Sequence, residues 1–267
     1  MKSIRELMNL DGRAALITGG AGHIGKACAE ALAEAGCAVA VLDLDEGRCQ
    51  ETALDLAQRF QVKTLGLALD LGDEKAVLAA PERVARDLGS LGILVHCAAF
   101  VGTSKLAGWA TPFAEQRLDT WRAALEVNLT APFAMTQAAA PLLKASGHGA
   151  VVNVASTYGV VGPDWSLYEG TAMGNPAAYA ASKGGLVQLT RWLATTLAPD
   201  IRVNCLSPGG VFRNQPESFV KRYEARTPAK RMATEEDMKG TLLYLASDLS
   251  RYVTGQNILV DGGWTAW

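Results

Sequence analysis

Tyr179 and Lys183 stand four residues apart in the run Tyr-Ala-Ala-Ser-Lys. In a helix, residues at i and i+4 share a face, so the ammonium can sit close to the phenol. A nearby cation favours the phenolate and lowers a pKa that is ordinarily about 10. That would give a general acid/base usable near neutral pH. A solvated helix carrying an unrelated Tyr and Lys would show the same spacing. The pair gains meaning only alongside a nucleotide site and a group that orients a substrate.

A nucleotide site is the first of these. Thr18-Gly-Gly-Ala-Gly-His-Ile-Gly25 follows a short apolar run and leads into an alanine-rich helical pattern. Gly19, Gly22 and Gly25 let the backbone turn sharply and approach a pyrophosphate, which a helix N-terminus favours. The strand before and the helix after are the context this motif requires. His23 and Ile24 complete the loop. Asp43, with Leu44 after it, closes the second apolar run. A carboxylate there can accept from both ribose hydroxyls of NAD and would repel the extra phosphate of NADP; the competing reading is a plain turn residue. The loop Thr18–Gly25 holds no Arg or Lys, which also favours NAD over NADP, although Lys26 and His23 lie close by.

The elements that must position these groups alternate. Strands are expected at Ala14–Thr18, Ala38–Asp43, Thr64–Leu69, Ile93–Cys97, Ala150–Ala155, Ile201–Leu206 and Asn257–Val260. Helices are expected near His23–Ala35, Glu46–Phe60, Asp73–Leu88, Thr120–Lys144, Pro176–Leu197 and Glu235–Ala246. Near-continuous apolar strands between helices indicate a parallel sheet buried on both faces. The expectation is an α/β chain of one doubly wound domain over 1–267, about seven strands with helices on both faces. Gly/Pro-rich loops at 99–112, 159–176 and 207–223 follow strands, where open sheets bind ligands.

Composition narrows the function classes. A net charge of −2 and a pI near 6.0 give no reason to expect nucleic acid or an anionic membrane as partner. No apolar run reaches the roughly 18–20 residues of a membrane span, and the charged N-terminus lacks a signal-peptide pattern. Five dispersed cysteines with no CxxC pair, and three histidines, read as a reduced cytoplasmic protein with no metal site.

Together, the glycine loop, Asp43 and Tyr179-x-x-x-Lys183 resemble the short-chain dehydrogenase/reductase family over nearly the whole chain. The resemblance implies a Rossmann-type fold and a catalytic set of Asn128, Ser156, Tyr179 and Lys183. Ser156 ends Val151-Val-Asn-Val-Ala-Ser, and Asn128 lies in Val127-Asn-Leu. Asp70 and Leu71 look like the adenine contacts, Cys97, Ala98 and Ala99 like the turn after the fourth strand, and Pro208, Gly209 and Val211 like the nicotinamide loop. Val260-Asp-Gly-Gly263 matches the C-terminal signature. Some positions depart from the family. His96-Cys97-Ala98-Ala99 replaces Asn-Asn-Ala-Gly, and Arg213 replaces a threonine. The Gly-x-x-Gly-x-x-Gly spacing is more familiar from the nucleotide-sugar epimerase branch.

The implied reaction is hydride transfer between NAD and a carbinol or ketone carbon. Tyr179 would exchange the hydroxyl proton, Ser156 would orient the reacting oxygen, and Lys183 would bind the nicotinamide ribose. Asn128 would anchor a relay water. Residue 132 is Pro and has no N–H to satisfy the carbonyl at 128, which leaves that carbonyl free or simply kinks a long helix. Between Ser156 and Tyr179 lies an extended segment, 163–175, carrying Trp165, Tyr168, Glu169 and Asn175, a mixture suited to a sugar. With Val-Phe-Arg213-Asn-Gln-Pro-Glu it resembles the subgroup of flagellin modification and nonulosonate-type sugar biosynthesis. A polar carbohydrate is expected, phosphorylated or nucleotide-linked, with Arg213 a candidate anion contact. A 3-oxoacyl-thioester reductase, a polyol dehydrogenase, or a dinucleotide-binding regulatory or scaffold protein are the alternatives. An apolar tail (Ile258, Leu259, Trp264, Trp267) and the resemblance point to a homotetramer or homodimer, though such a tail can also fold back on its own chain.

Overall fold

The computed structural model describes residues 1–101 and 106–267. The elements run α1 (Ile4–Met8), β1 (Ala14–Thr18), α2 (His23–Glu34), β2 (Ala38–Asp43), α3 (Glu46–Phe60), β3 (Thr64–Ala68) and α4 (Glu74–Leu88). They continue with β4 (Ile93–His96), α5 (Leu118–Leu125), α6 (Ala131–Ala145), β5 (Gly149–Val154), α7 (Ala177–Leu197) and β6 (Ile201–Pro208). Then come α8 (Glu217–Arg226), α9 (Glu236–Ala246) and β7 (Asn257–Val260). All seven strands pair in parallel, in the order β3-β2-β1-β4-β5-β6-β7. The strand order reverses between β1 and β4, so their carboxyl ends frame the crevice where such sheets bind ligands.

Side chains alternate across the strands and build two apolar layers. Ala15, Ile17, Val39 and Val41 pack with Cys28 and Leu32 of α2 and Met238 and Leu242 of α9. Leu16, Leu42, Leu94 and Val151 face the other way, onto Val77 and Val84 of α4, Met135 and Leu143 of α6 and Leu193 of α7. No helix among the described residues is long and apolar enough to cross a membrane.

The expected helix Thr120–Lys144 is not continuous. A π turn, Glu126–Thr130, separates α5 from α6, and Pro132 lies in the first turn of α6. Pro has no N–H to complete the α-helical ladder there, and the widened turn holds Asn128 inside. Two short helices, α1 and α8, add to the expected set. A capping box fixes α1: Ser3 Oγ accepts the Glu6 N–H, and the Glu6 carboxylate accepts the Ser3 N–H.

His96 closes β4 as a buried histidine, its Nε2 2.9 Å from the Thr136 hydroxyl on α6. Burial holds its pKa down to about 3, and the Lys183 charge pushes the same way. Unfolded chains bind a proton near 6.5, so the neutral folded histidine contributes stability that is fully present above that pH. It is lost as pH falls from about 6.5 toward 3. Urea unfolding between pH 7 and pH 4 should therefore show a steeper loss of stability for the native chain than for His96→Asn. Parallel pH dependences would mean that His96 is not held neutral by the fold.

Candidate active site

The crevice is shaped by backbones that leave no room for side chains. Gly19 has φ +67°, and a Cβ there would lie 2.7 Å from the Ala98 backbone. A Cβ on Gly25 would overlap the Gly19 carbonyl, and one on Gly22 would come within 3.9 Å of an Asp43 carboxylate oxygen. The loop therefore lies directly between the Cys97–Ala99 turn and the end of β2. Thr18 ties the two sides: its carbonyl accepts the Cys97 N–H at 3.2 Å and its hydroxyl accepts the Ala98 N–H at 3.4 Å. Gly22 caps α2 without a side-chain bond, so the first N–H groups of the helix point at the loop mouth, where a pyrophosphate fits. His23 and Ile24 open α2, and the His23 ring lies 3.6 Å from Glu235. Asp70 accepts the Gly72 N–H in the turn after β3, next to buried Leu71. Across the crevice, Pro208 ends β6, Gly209 abuts Asp261 and the Tyr223 hydroxyl, and Val211 bridges Ala233. This cradle fits a dinucleotide.

Beyond it, the expected catalytic set is brought together. Ser156, after β5, lies near enough to the Tyr179 phenol on α7 to hold its pKa down, and its hydroxyl accepts the Tyr158 N–H at 3.2 Å. Lys183, one turn along α7, is fully buried and donates to the Val154 carbonyl at 2.8 Å. Its ammonium lies 5.9 Å from the centre of the Tyr179 ring. The expected lowering of the Tyr179 pKa is not seen. Burial pushes the phenol above its usual range, only partly offset by Ser156. Burial brings Lys183 itself down to about 8, and the one hydrogen bond it makes among the described residues, to a neutral carbonyl, does not offset this. The Asn128 side chain is committed elsewhere: it accepts the Phe100 N–H at 2.6 Å and donates to the Ser182 hydroxyl at 3.0 Å. Any water relay there must use the backbone of the π turn.

With this geometry, similarity to known proteins becomes informative. The family model for enoyl-(acyl carrier protein) reductase matches residues 19–265. The cis-4-hydroxycyclohexanecarboxylate dehydrogenase of Sinomonas cyclohexanicum is 35% identical, covering 95% of this chain and 97% of its own. Post-translational flagellin modification protein A of Campylobacter coli is 30% identical over 96% of this chain and 99% of its own. A short-chain type dehydrogenase/reductase from Mycobacterium marinum superimposes with a TM-score of 0.87 at 31% identity, over 100% of both chains. The chain belongs to the short-chain dehydrogenase/reductase family. A gluconate 5-dehydrogenase from Burkholderia cenocepacia, in complex with NADP and tartrate, gives a TM-score of 0.84 at 30% identity, covering 99% of this chain and 100% of its own. Our protein is thus an NAD(P)-dependent oxidoreductase of this family, acting on CH–OH groups.

In this dehydrogenase/reductase the 163–175 segment walls a cavity of about 710 Å³ beside the start of α7. Trp165 and Asn175 line it with Thr111, Phe113, Gln116 and Met173. Tyr168 does not line it; its hydroxyl bonds to that of Tyr158 at 2.7 Å. Nor does Arg213, which pairs with Glu235 at 2.6 Å beside His23. Each of these two side chains already has a close partner in this structure. The 99–112 loop was expected to face substrate without any residue being singled out; Ala110, Thr111 and Pro112 of it line the cavity, and positions 102–105 lie outside the described residues. Trp264 folds back, stacked 6.0 Å from Tyr223, whereas Trp267 is exposed.

The glycine cradle makes a direct prediction. Gly25→Ala should displace the Gly19 carbonyl and raise the NAD dissociation constant about tenfold or more (1.4 kcal/mol). Titration by fluorescence, with circular dichroism confirming the fold, reads this out. An unchanged constant would show that this loop does not hold the dinucleotide.

Proposed function

We propose that this enzyme interconverts a secondary alcohol and a ketone on a polar, sugar-derived substrate, with NAD as the preferred dinucleotide. The observation that carries this reading is the proximity of Ser156 to the Tyr179 phenol, on the helix whose start borders a cavity walled by the 163–175 segment. The bound dinucleotide supplies or accepts the hydride. Tyr179, held neutral by burial, is ready to donate a proton to a forming alkoxide, and as its conjugate base removes one in the reverse direction. Ser156 fixes the reacting oxygen against Tyr179. Lys183 adds positive charge at the ribose side, and Asn128 holds the Phe100 turn over the reacting carbon.

Thr111, Gln116, Thr171 and Asn175, set among mostly apolar residues lining the cavity, support a hydroxylated substrate. So do the relatives, whose names include a hydroxylated ring acid dehydrogenase, a flagellin modification protein and a gluconate dehydrogenase. The preference for NAD rests on Asp43, whose carboxylate stands beside Gly22 and accepts the Leu44 N–H at 2.8 Å. Two cations of α2 and α3 already have partners: Arg48 donates to the Ala21 carbonyl at 2.9 Å and Lys26 lies 3.9 Å from Asp55. A 2′-phosphate at Asp43 would meet like charge.

Two measurements test this. Wild-type turnover of polyols and sugar acids, set against acetoacetyl thioester, should favour the hydroxylated compounds. Tyr179→Phe should lower kcat by about 10² or more; thioester preference or near-normal turnover would each reject the assignment. Asp43→Asn should narrow the NAD-over-NADP affinity ratio about tenfold, and an unaltered ratio would place cofactor choice elsewhere.

A further inference from the structure

An ion pair stands at the mouth of the dinucleotide cradle. Arg213, in the loop after β6, holds Glu235 Oε1 at 2.6 Å. The same oxygen lies 3.6 Å from Nδ1 of His23, the first residue of α2. The loop, the residue ahead of α9 and the start of α2 therefore meet where the N–H groups of α2 open toward a pyrophosphate. Packing beneath keeps them together: Val211, two residues before Arg213, and Ile24, one after His23, lie against the same apolar layer.

The backbone that carries Arg213 is fixed. Gly210 accepts the Ala233 N–H and Ala233 accepts the Phe212 N–H, each at 2.9 Å. Gln215 accepts the Arg213 N–H at 2.6 Å and donates to the Val211 carbonyl at 2.9 Å. The guanidinium, by contrast, is not spent. Nη1 makes both of its bonds, to Glu235 and to the Phe212 carbonyl at 2.8 Å, and Nε and Nη2 enter none among the described residues. A partly exposed pair of this kind contributes little to stability, so a change of partner costs little. Glu235 alone, so close to the start of α2, would repel the two negative charges of a pyrophosphate. A planar guanidinium matches phosphate oxygens with paired donors.

We propose that Arg213 binds the pyrophosphate of the dinucleotide, exchanging Glu235 for the phosphate oxygens, and that Glu235 acts against it as a competing anion. Arg213 is thus a cofactor-binding residue supplied by the loop after β6, and not an anion contact for substrate. The assignment holds whichever alcohol is oxidised, so it stands or falls separately from the substrate proposed above.

The test is binding, read by tryptophan fluorescence with circular dichroism confirming the fold. The ligands are NAD, ADP-ribose, which keeps the pyrophosphate but lacks nicotinamide, and adenosine, which has no phosphate. Arg213→Met should weaken NAD and ADP-ribose alike by about tenfold or more (1.4 kcal/mol) and leave adenosine unchanged, and Arg213→Lys should recover part of the loss. Glu235→Gln keeps an acceptor for Arg213 while removing the charge, and should tighten NAD and ADP-ribose severalfold. The double variant should bind both more tightly than Arg213→Met alone. An arginine that only braced the loop through Glu235 would give the reverse: Glu235→Gln would weaken binding, and the double variant would be no better than Arg213→Met. Either of those results would overturn the assignment. So would unchanged affinity in Arg213→Met, a loss confined to NAD, or a loss shared by adenosine.

Discussion

A buried ammonium sets the geometry on which the site depends. Lys183 has one hydrogen-bond acceptor among the described residues, the Val154 carbonyl at the end of β5. Removing a charge from water with a single neutral partner is expensive, which is why its pKa falls to about 8. The bond cannot loosen without worsening that cost, so α7 is clamped against the strand end two residues before Ser156. Backbone contact reinforces the clamp: a Cβ on Gly159 would lie 2.8 Å from the Lys183 carbonyl oxygen. The separation of Ser156 and Tyr179 is therefore set by a strand end and a helix, not by a loop.

The same burial governs the local protonation states. With the cation spent on a carbonyl, the i,i+4 relation does not by itself yield a phenolate; low dielectric around Tyr179 outweighs it. A neutral phenol is the state suited to giving a proton to a forming alkoxide. His96, one strand away, stays neutral chiefly because it is buried, and the Lys183 charge adds to this. An asparagine, the residue more usual at that position, would place no titrating group there. The chain has substituted a side chain that must remain uncharged to be tolerated, and Thr136 satisfies its Nε2.

How much of this was legible in the sequence varies with the physical source of the signal. The strand cores Ala14–Thr18, Ala38–Asp43 and Asn257–Val260 stand where expected, and the other four strands differ by one or two residues. Apolar runs between helical patterns leave little freedom in a doubly covered sheet. Asp43, Gly19, Gly22 and Gly25 were legible because their roles are steric or electrostatic at one fixed point. The π turn was not: Pro132 signalled a missing N–H, but only packing decides whether a kink or a widened turn absorbs it. Helix α8 escaped notice because Glu-Ser-Phe-Val-Lys-Arg-Tyr-Glu-Ala-Arg is mostly polar and sits inside a Gly/Pro-rich loop. The partners of Tyr168 and Arg213 were equally hidden, since spacing says nothing of a hydroxyl or carboxylate supplied from 10 or 22 residues away.

Helix α8 and the chain end explain why the 163–175 segment is a wall. Arg226 on α8 pairs with Asp164 at 3.0 Å, and Arg222 donates to the Glu169 and Leu167 carbonyls. A file of rings runs from Tyr168 through Phe219 and Tyr223 to Trp264, with Tyr158 closing onto Trp264. Such contacts are worth more than their buried area alone. The apolar tail is thus consumed at Trp264 in bracing the segment from behind. A wall held this way cannot readily fold inward to satisfy its own polar groups. The cavity face of the segment is therefore braced from behind by α8 and the chain end.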